Sequence, residues 1–390
     1  MPRRTIELDN ATIVLISDDD PVPLGGRTCA IASARLLDEI TETPPRGKVD
    51  VTNSGPGLFP RIMEDGLIGL AGIPRDVFPN LDTQPYSVQM EVQALGYLPL
   101  EIPAVIPADP NFPTDFIPVI LGDQSLHRQP IVTGGRVKHF DIISGEFIPS
   151  NGAAVSLAGI WRTLQDAKNN LVPDPVNMAA LHPPLYAPRP TPGGGLQTRS
   201  LVHVIGEDKT LLTGAVSGSD RLSIDNWVNL TVGDLLAIDV ADPGRIEYLR
   251  IQALEGGGNS ASPAEVILEL RMAYSHRRGS LVQRVNPGAP GANIPLTQAA
   301  IPRDSCLFLN NLAGLTSGDA VQVGNGGAPD EYHVIQLYTV ITDAEGYYRL
   351  PPLSRVAQVQ IRATFGVLTH TEIYSPDYTS TDNRLDFWLR

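Results

Sequence analysis

Glu64-Asp65-Gly66-Leu67-Ile68-Gly69-Leu70 returns near the far end of the chain as Ala344-Glu345-Gly346-Tyr347-Tyr348-Arg349-Leu350. In each copy an acidic residue and a glycine form a tight turn, and a strand alternating toward a core follows it. The period of two recurs around these turns. Tyr86-Ser87-Val88-Gln89-Met90-Glu91-Val92-Gln93-Ala94 alternates apolar and polar residues as a half-buried strand does, and so do Val49-Asp50-Val51 and the stretch from Val356 to Arg362. At the C-terminus Leu385, Phe387 and Leu389 alternate with Arg384, Asp386, Trp388 and Arg390. Residues 31–40 suit a short helix or a strand, and the alternation of Ser33, Arg35 and Leu37 favours the strand. The reading is an all-β chain.

Composition agrees. Among 390 residues, 36 are Gly and 35 are Pro, too many for long helices, while 42% are hydrophobic, enough for a sizeable core. The net charge of -14 repels polyanions, so nucleic acid is not expected as a partner. His276-Arg277-Arg278 is the largest basic cluster, and it reads as a solvated turn. Two cysteines, Cys29 and Cys306, give neither a disulfide framework nor a zinc spacing, which fits a reducing compartment or indifference to redox. After Arg3-Arg4 the apolar run is only Ile13-Val14-Leu15-Ile16, ending before Asp18-Asp19-Asp20, so neither a signal peptide nor membrane insertion is expected. Cytoplasmic synthesis, association with a particle and release by lysis is the corresponding expectation. The sequons at Asn10 and Asn229 read as chance matches.

The length suggests two to four domains. Residues 99–118 carry six prolines and residues 166–200 carry seven, closing on Gly193-Gly194-Gly195. Proline lacks a ladder donor, so both stretches read as connectors or surface-wrapping arms. A repeat lies beyond them. Leu222, Ile224, Trp227, Leu230-Thr231 and Gly233-Asp234 correspond to Leu307, Leu309, Leu312, Leu315-Thr316 and Gly318-Asp319. Glu247-Tyr248 and Ile251 then match Glu331-Tyr332 and Ile335, with Ala241-Asp242-Pro243-Gly244 and Gly324-Asn325-Gly326-Gly327 at one hairpin position. Each unit reads as a small antiparallel meander.

Leu36-Leu37-Asp38, Pro44-Pro45, Val49-Asp50-Val51, Asp65-Gly66 and Ala94-Leu95-Gly96-Tyr97 together resemble the carboxypeptidase regulatory-like domain, a transthyretin-like β-sandwich; they cover residues 25–106. A second copy is split. Its front half is Gly135-Arg136-Val137, Ile148-Pro149 and Gly152 to Leu157, and its acidic-glycine turn arrives only at Asp343-Ala344-Glu345-Gly346, with Arg349 to Leu353 and Val359-Gln360-Ile361 behind it. The expected organisation is a first sandwich over 1–110, a linker over 111–130 and a second sandwich made of 131–165 plus 340–390. A Pro-rich arm over 166–200 and an insert over 201–339, holding β-repeats at 204–288 and 289–339, interrupt that second sandwich. Joined directly, 131–165 and 340–390 are expected to fold alone.

The residues offer no catalytic, cofactor or metal constellation. The histidines at 127, 139, 182, 203, 276, 333 and 370 are scattered, and His203 and His333 read as packed or edge residues. Gly214-Ala215-Val216-Ser217-Gly218 lacks nucleophile-elbow spacing, and Gly256-Gly257-Gly258 precedes no helix. Asp18-Asp19-Asp20 and the Asp343 turn suit calcium by composition, but turn chemistry alone accounts for the latter. Trp161, Trp227 and Trp388 are too dispersed for a sugar-stacking platform. The resemblance implies a scaffold or adhesive module without enzymatic activity. The expectation is a structural subunit of a phage-tail-like contractile injection system, at its baseplate, cap or outer decoration. Its partners would be other protein subunits in a homo-oligomer or ring. The alternative is a surface or host-contact module binding glycan or protein.

Overall fold

The computed structural model describes residues 4–8, 11–15, 28–53, 55–112, 116–169, 172–256, 258–324 and 329–390. Asp18-Asp19-Asp20, Arg3, Asn10 and Asn325-Gly326-Gly327 lie outside the described residues. Half of the chain is strand and only 3% is helix, which makes the protein all-β, built from sandwich-type sheets. Two compact units divide it, residues 1–127 and residues 128–390.

Among the described residues of the first unit, beside a hairpin of Arg4–Leu8 with Ala11–Leu15, seven strands form two sheets. Phe59–Ile62, Leu67–Gly72, Cys29–Asp38 and Val119–Leu126 make one, and Val49–Asn53, Tyr86–Ala94 and Leu100–Ile106 make the other. Alternate residues Val88, Met90, Val92, Ile102, Ala104 and Ile106 turn inward against Ile31, Leu36, Ile68 and Leu70. Pro103 is accommodated because its strand is at the sheet edge, paired with Tyr86–Ala94 alone. The segment expected as a linker over 111–130 contributes Val119–Leu126, which pairs in parallel with Cys29–Asp38. Its alternation is interrupted at Gly122-Asp123, which hid it from a period-two reading.

The second unit repeats this plan over distant segments. Val132–Asp141 pairs antiparallel with Tyr347–Arg349 and parallel with Asp382–Arg384 and Phe387–Leu389, while Thr339–Ile341, Ala154–Trp161, Gln358–Phe365 and Leu368–Tyr374 form the facing sheet. The two acidic-glycine turns occupy equivalent places. A Cβ on Gly66 (φ +74) would lie 2.6 Å from the Leu36 carbonyl and 3.2 Å from Pro44, and one on Gly346 (φ +79) would lie 2.6 Å from the Val137 carbonyl and 3.3 Å from Pro149. Gly346→Ala is therefore expected to cost at least about 2 kcal/mol, through the left-handed backbone and the clash together. Urea denaturation followed by tryptophan fluorescence checks this.

Between Trp161 and Thr339 the chain builds two small closed barrels rather than meanders. The first runs Leu201–Thr210, Leu281–Pro287, Leu235–Ile238, Glu247–Gly256, Ala264–Leu268 and Arg221–Ile224 around its wall, closed by a bridge from Leu211 to Ile224. The second runs Ile294–Pro295, Gly195–Thr198, Ala320–Gly324, Glu331–Leu337, Met178–His182 and Cys306–Phe308, closed by the bridge from Leu296 to Leu309. The repeated turns match bond for bond. Gly233 N donates to the Ile251 carbonyl and Gly318 N to the Ile335 carbonyl, both at 2.8 Å, while Asp234 and Asp319 each accept from the threonine three residues earlier at 2.7 Å.

The second barrel is a circular permutation of the first, because Met178–His182 and Gly195–Thr198, the counterparts of Ala264–Leu268 and Leu281–Pro287, precede the first barrel in sequence. They come from the stretch expected to be a free Pro-rich arm. Met178, Ala179, Ala180, Leu181 and Leu196 are buried there, and the prolines occupy the loops between strands. The insert is also not separate from the sandwich. Met178, Ala180, Cys306, Phe308 and Tyr338 share one hydrophobic cluster with Val155, Ile160, Leu353 and Val359.

Candidate interaction surface

Two buried glutamates mark the boundary between the barrels. Glu247 accepts from Ala273 N and Tyr274 N at 2.8 Å each, from the Tyr186 hydroxyl at 2.6 Å and from His276 Nε2 at 2.9 Å. Its repeat counterpart Glu331 accepts from Tyr186 N at 2.8 Å, Ala187 N and Arg189 Nη2 at 2.7 Å each and His333 Nε2 at 3.1 Å. In each barrel the carboxylate pins the loop that follows the fifth wall strand, and Tyr186 reaches from one barrel to the carboxylate of the other. The two carboxylates are satisfied within the network, as buried charges require, while Arg189 bonds through Nη2 and leaves Nε and Nη1 without a partner among the described residues; the network holds structure together.

His276, expected on a solvated turn, is instead 3% exposed, with Nδ1 3.3 Å from Asp239. Burial lowers its pKa, but its hydrogen bonds to Glu247 and Asp239 and their charges outweigh that, and the net shift is upward from 6.5. His182, stacked on Tyr274, shifts downward, first through burial and then through the charge of His333. The stability supplied by His276 is complete below pH 6.5 and is lost as pH rises through its raised pKa; that of His182 is present above 6.5 and lost as pH falls through its lowered one. Stability of the second unit is thus expected to peak near 6.5. Denaturant midpoints measured across pH check this, and His276→Gln should remove the alkaline decline.

The other residues considered from sequence are apart. His127 pairs with Glu39 at 2.8 Å, His139 with the Ser150 hydroxyl at 2.9 Å, His203 with Asp208 at 2.9 Å and His370 with Glu372 at 3.1 Å. The Asp343 carboxylate accepts from Glu345 N at 3.1 Å and Tyr347 N at 2.8 Å, the bonds of its own turn. Cys306 is buried against the Tyr338 hydroxyl and the Pro352 carbonyl, and desolvation pushes its thiol up to about 12, the state of an inert core cysteine. Cys29 is half-buried and its thiol is also raised by burial. Among the described residues no three His, Cys, Asp or Glu side chains are grouped to hold a metal ion, and no helix is long and apolar enough to cross a membrane.

The surface that stands out is the outer face of the sheet centred on Val132–Asp141. Its inner face turns Val137, Tyr348, Phe387 and Leu389 into the core. By register the opposite face carries Arg136, Lys138 and Phe140 beside Phe147, Tyr347 and Trp388. Cations and rings alternate there. The Arg136 guanidinium lies 3.9 Å from the Tyr347 ring centre, Lys138 Nζ 5.0 Å from that of Trp388, and Arg390 5.1 Å from that of Phe147. Phe147 also packs edge-on against Trp388 at 5.0 Å and against Phe140 at 5.5 Å. Trp388 remains 50% exposed, and the adjoining hairpin tip leaves Ile142 and Ile143 at 87% and 96%. Tryptophan, tyrosine and arginine, all present here, are the residues enriched in binding hot spots. Alternation placed Trp388 and Arg390 on one face of the last strand, but their partners arrive from Lys138 and Phe147, far away in sequence.

No protein-family model matches the chain, and no curated protein does. Among solved structures, the crystal structure of BcpA, the major pilin subunit of Bacillus cereus, is similar at 8% identity and a TM-score of 0.20, covering 93% of this chain and 99% of that chain. At that TM-score the likeness carries no functional weight.

Proposed function

We propose that this chain is a non-enzymatic structural and interaction subunit of a multiprotein particle. The observation that carries the reading is the cation-and-aromatic outer face, with Ile142 and Ile143 at its rim: side chains that water disfavours are gathered where a partner protein would cover them. The buried glutamate network adds support, since its two carboxylates are committed to holding the barrels together. The finer reading takes the sandwiches as carboxypeptidase regulatory-like modules, and the particle as a phage-tail-like contractile injection apparatus with this chain at its baseplate, cap or outer decoration. That step rests on the sequence resemblance alone.

Electron microscopy and mass measurement of native material test it. The reading expects the chain in a particle of defined symmetry; a strict monomer absent from every particle would overturn it. Exposed rings at Tyr347 and Trp388 favour a second reading, a surface module binding glycan, and glycan-array binding abolished by Trp388→Ala would support that one instead.

A further inference from the structure

We infer that the cation-and-aromatic face of one copy docks on the outer face of the three-stranded sheet in the first unit of a second copy, giving head-to-tail association. The inference rests on the subunit reading above and names the partner of that surface. Its basis is charge complementarity within one sequence. Residues 1–127 hold 18 Asp and Glu against 8 Lys and Arg, and residues 76–127 contain no Lys or Arg at all.

The three-stranded sheet concentrates this imbalance on one side. With Val88, Met90, Val92, Ile102 and Ala104 turned inward, its outer face presents Asp50, Glu91 and Glu101. Glu91 and Glu101 are directly opposed across the strand pair, an arrangement that destabilises an isolated sheet. Gln93 donates to Glu91 at 3.0 Å, and Lys48 pairs with Asp50 at 2.8 Å at the margin of the face, leaving Glu91 and Glu101 as its central charges. Beside them Val105 is 59% exposed and Pro103 projects from the edge strand, offering apolar contact. The second unit supplies the complement, in Lys138 over the exposed Trp388 ring and Arg390 over the half-buried Phe147 ring. Two different faces on one chain make a heterologous contact, which generates a ring or a filament.

Sedimentation velocity of the full chain tests this at about 20 mM and about 500 mM salt, conditions that differ several-fold in screening length. Association is expected at low salt, weakened at least about tenfold at high salt. The double variants Lys138→Glu/Arg390→Glu and Glu91→Lys/Glu101→Lys should each lose association by at least about tenfold. An equimolar mixture of the two should regain it, which misfolded variants would not do. A wild type that stays monomeric at low salt, self-association that survives both reversals, or a face that takes heparin or duplex DNA in place of a second copy would each overturn the inference. A chain found in native particles yet monomeric alone defeats this inference and leaves the subunit reading standing; one that self-associates but is absent from particles does the reverse.

Discussion

Glu331→Ala is expected to remove about 3–5 kcal/mol from the second unit, a large part of the roughly 5–15 kcal/mol that holds a typical domain. Both sides of the Arg189–Glu331 pair are fully buried, with Nη2 and Oε1 2.7 Å apart. Without the carboxylate, the guanidinium keeps the Pro329 carbonyl at 2.6 Å as its remaining acceptor. Tyr186 N, Ala187 N and His333 Nε2 lose their acceptor at the same time. Guanidinium denaturation of the full chain measures the loss. Lys48→Ala, which removes an exposed pair with Asp50, should change stability by no more than about 0.5 kcal/mol. A Glu331→Ala loss no greater than that of the control would mean that Arg189 finds another anion.

Replacing residues 162–338 by a short flexible linker should leave 128–161 and 339–390 without a cooperative melt. The sequence suggests the contrary, since insertions at loop tips are usually dispensable. This insert is different because it completes the core. Met178, Cys306, Phe308 and Tyr338 pack against sandwich residues, and burying a side chain of that size contributes about 1.5–3 kcal/mol. The Asp304 carboxylate also accepts from the Ser354 hydroxyl at 2.7 Å, and Arg355 donates to the Ala299 carbonyl at 2.5 Å, tying the loop before Gln358–Phe365 to the second barrel. Near-UV circular dichroism against temperature distinguishes the cases; a sharp transition in the shortened chain would show that the sandwich is sufficient by itself.

Several elements were legible in the residues themselves. Tyr86–Ala94 and Cys29–Asp38 are strands where alternation puts strands, and the Gly233-Asp234 and Gly318-Asp319 turns carry matching bonds. What escaped was long-range. Each barrel closes through a pair of residues that no local period relates, Leu211 with Ile224 and Leu296 with Leu309. The permutation placed two wall strands of the second barrel ahead of the first, inside a proline-rich stretch whose composition points away from strands. A shift of nearly the same size in the opposite direction would have exposed them: Leu196-Gln197 answers Val282-Gln283, and the loop residues Leu185 and Arg189 answer Met272 and His276. The interaction face was half visible, since Trp388 and Arg390 share a strand face, but Phe147, Tyr347 and Lys138 join them only through pairing.

The central claim is that the outer face around Trp388 is covered in the working assembly. Hydroxyl-radical footprinting of native particles against the isolated chain measures that directly, with Trp161, 7% exposed, as the internal reference. Strong oxidation of Trp388, Ile142 and Ile143 in the isolated chain and protection of all three in the particle is the predicted result. Equal labelling of Trp388 in both states would contradict it.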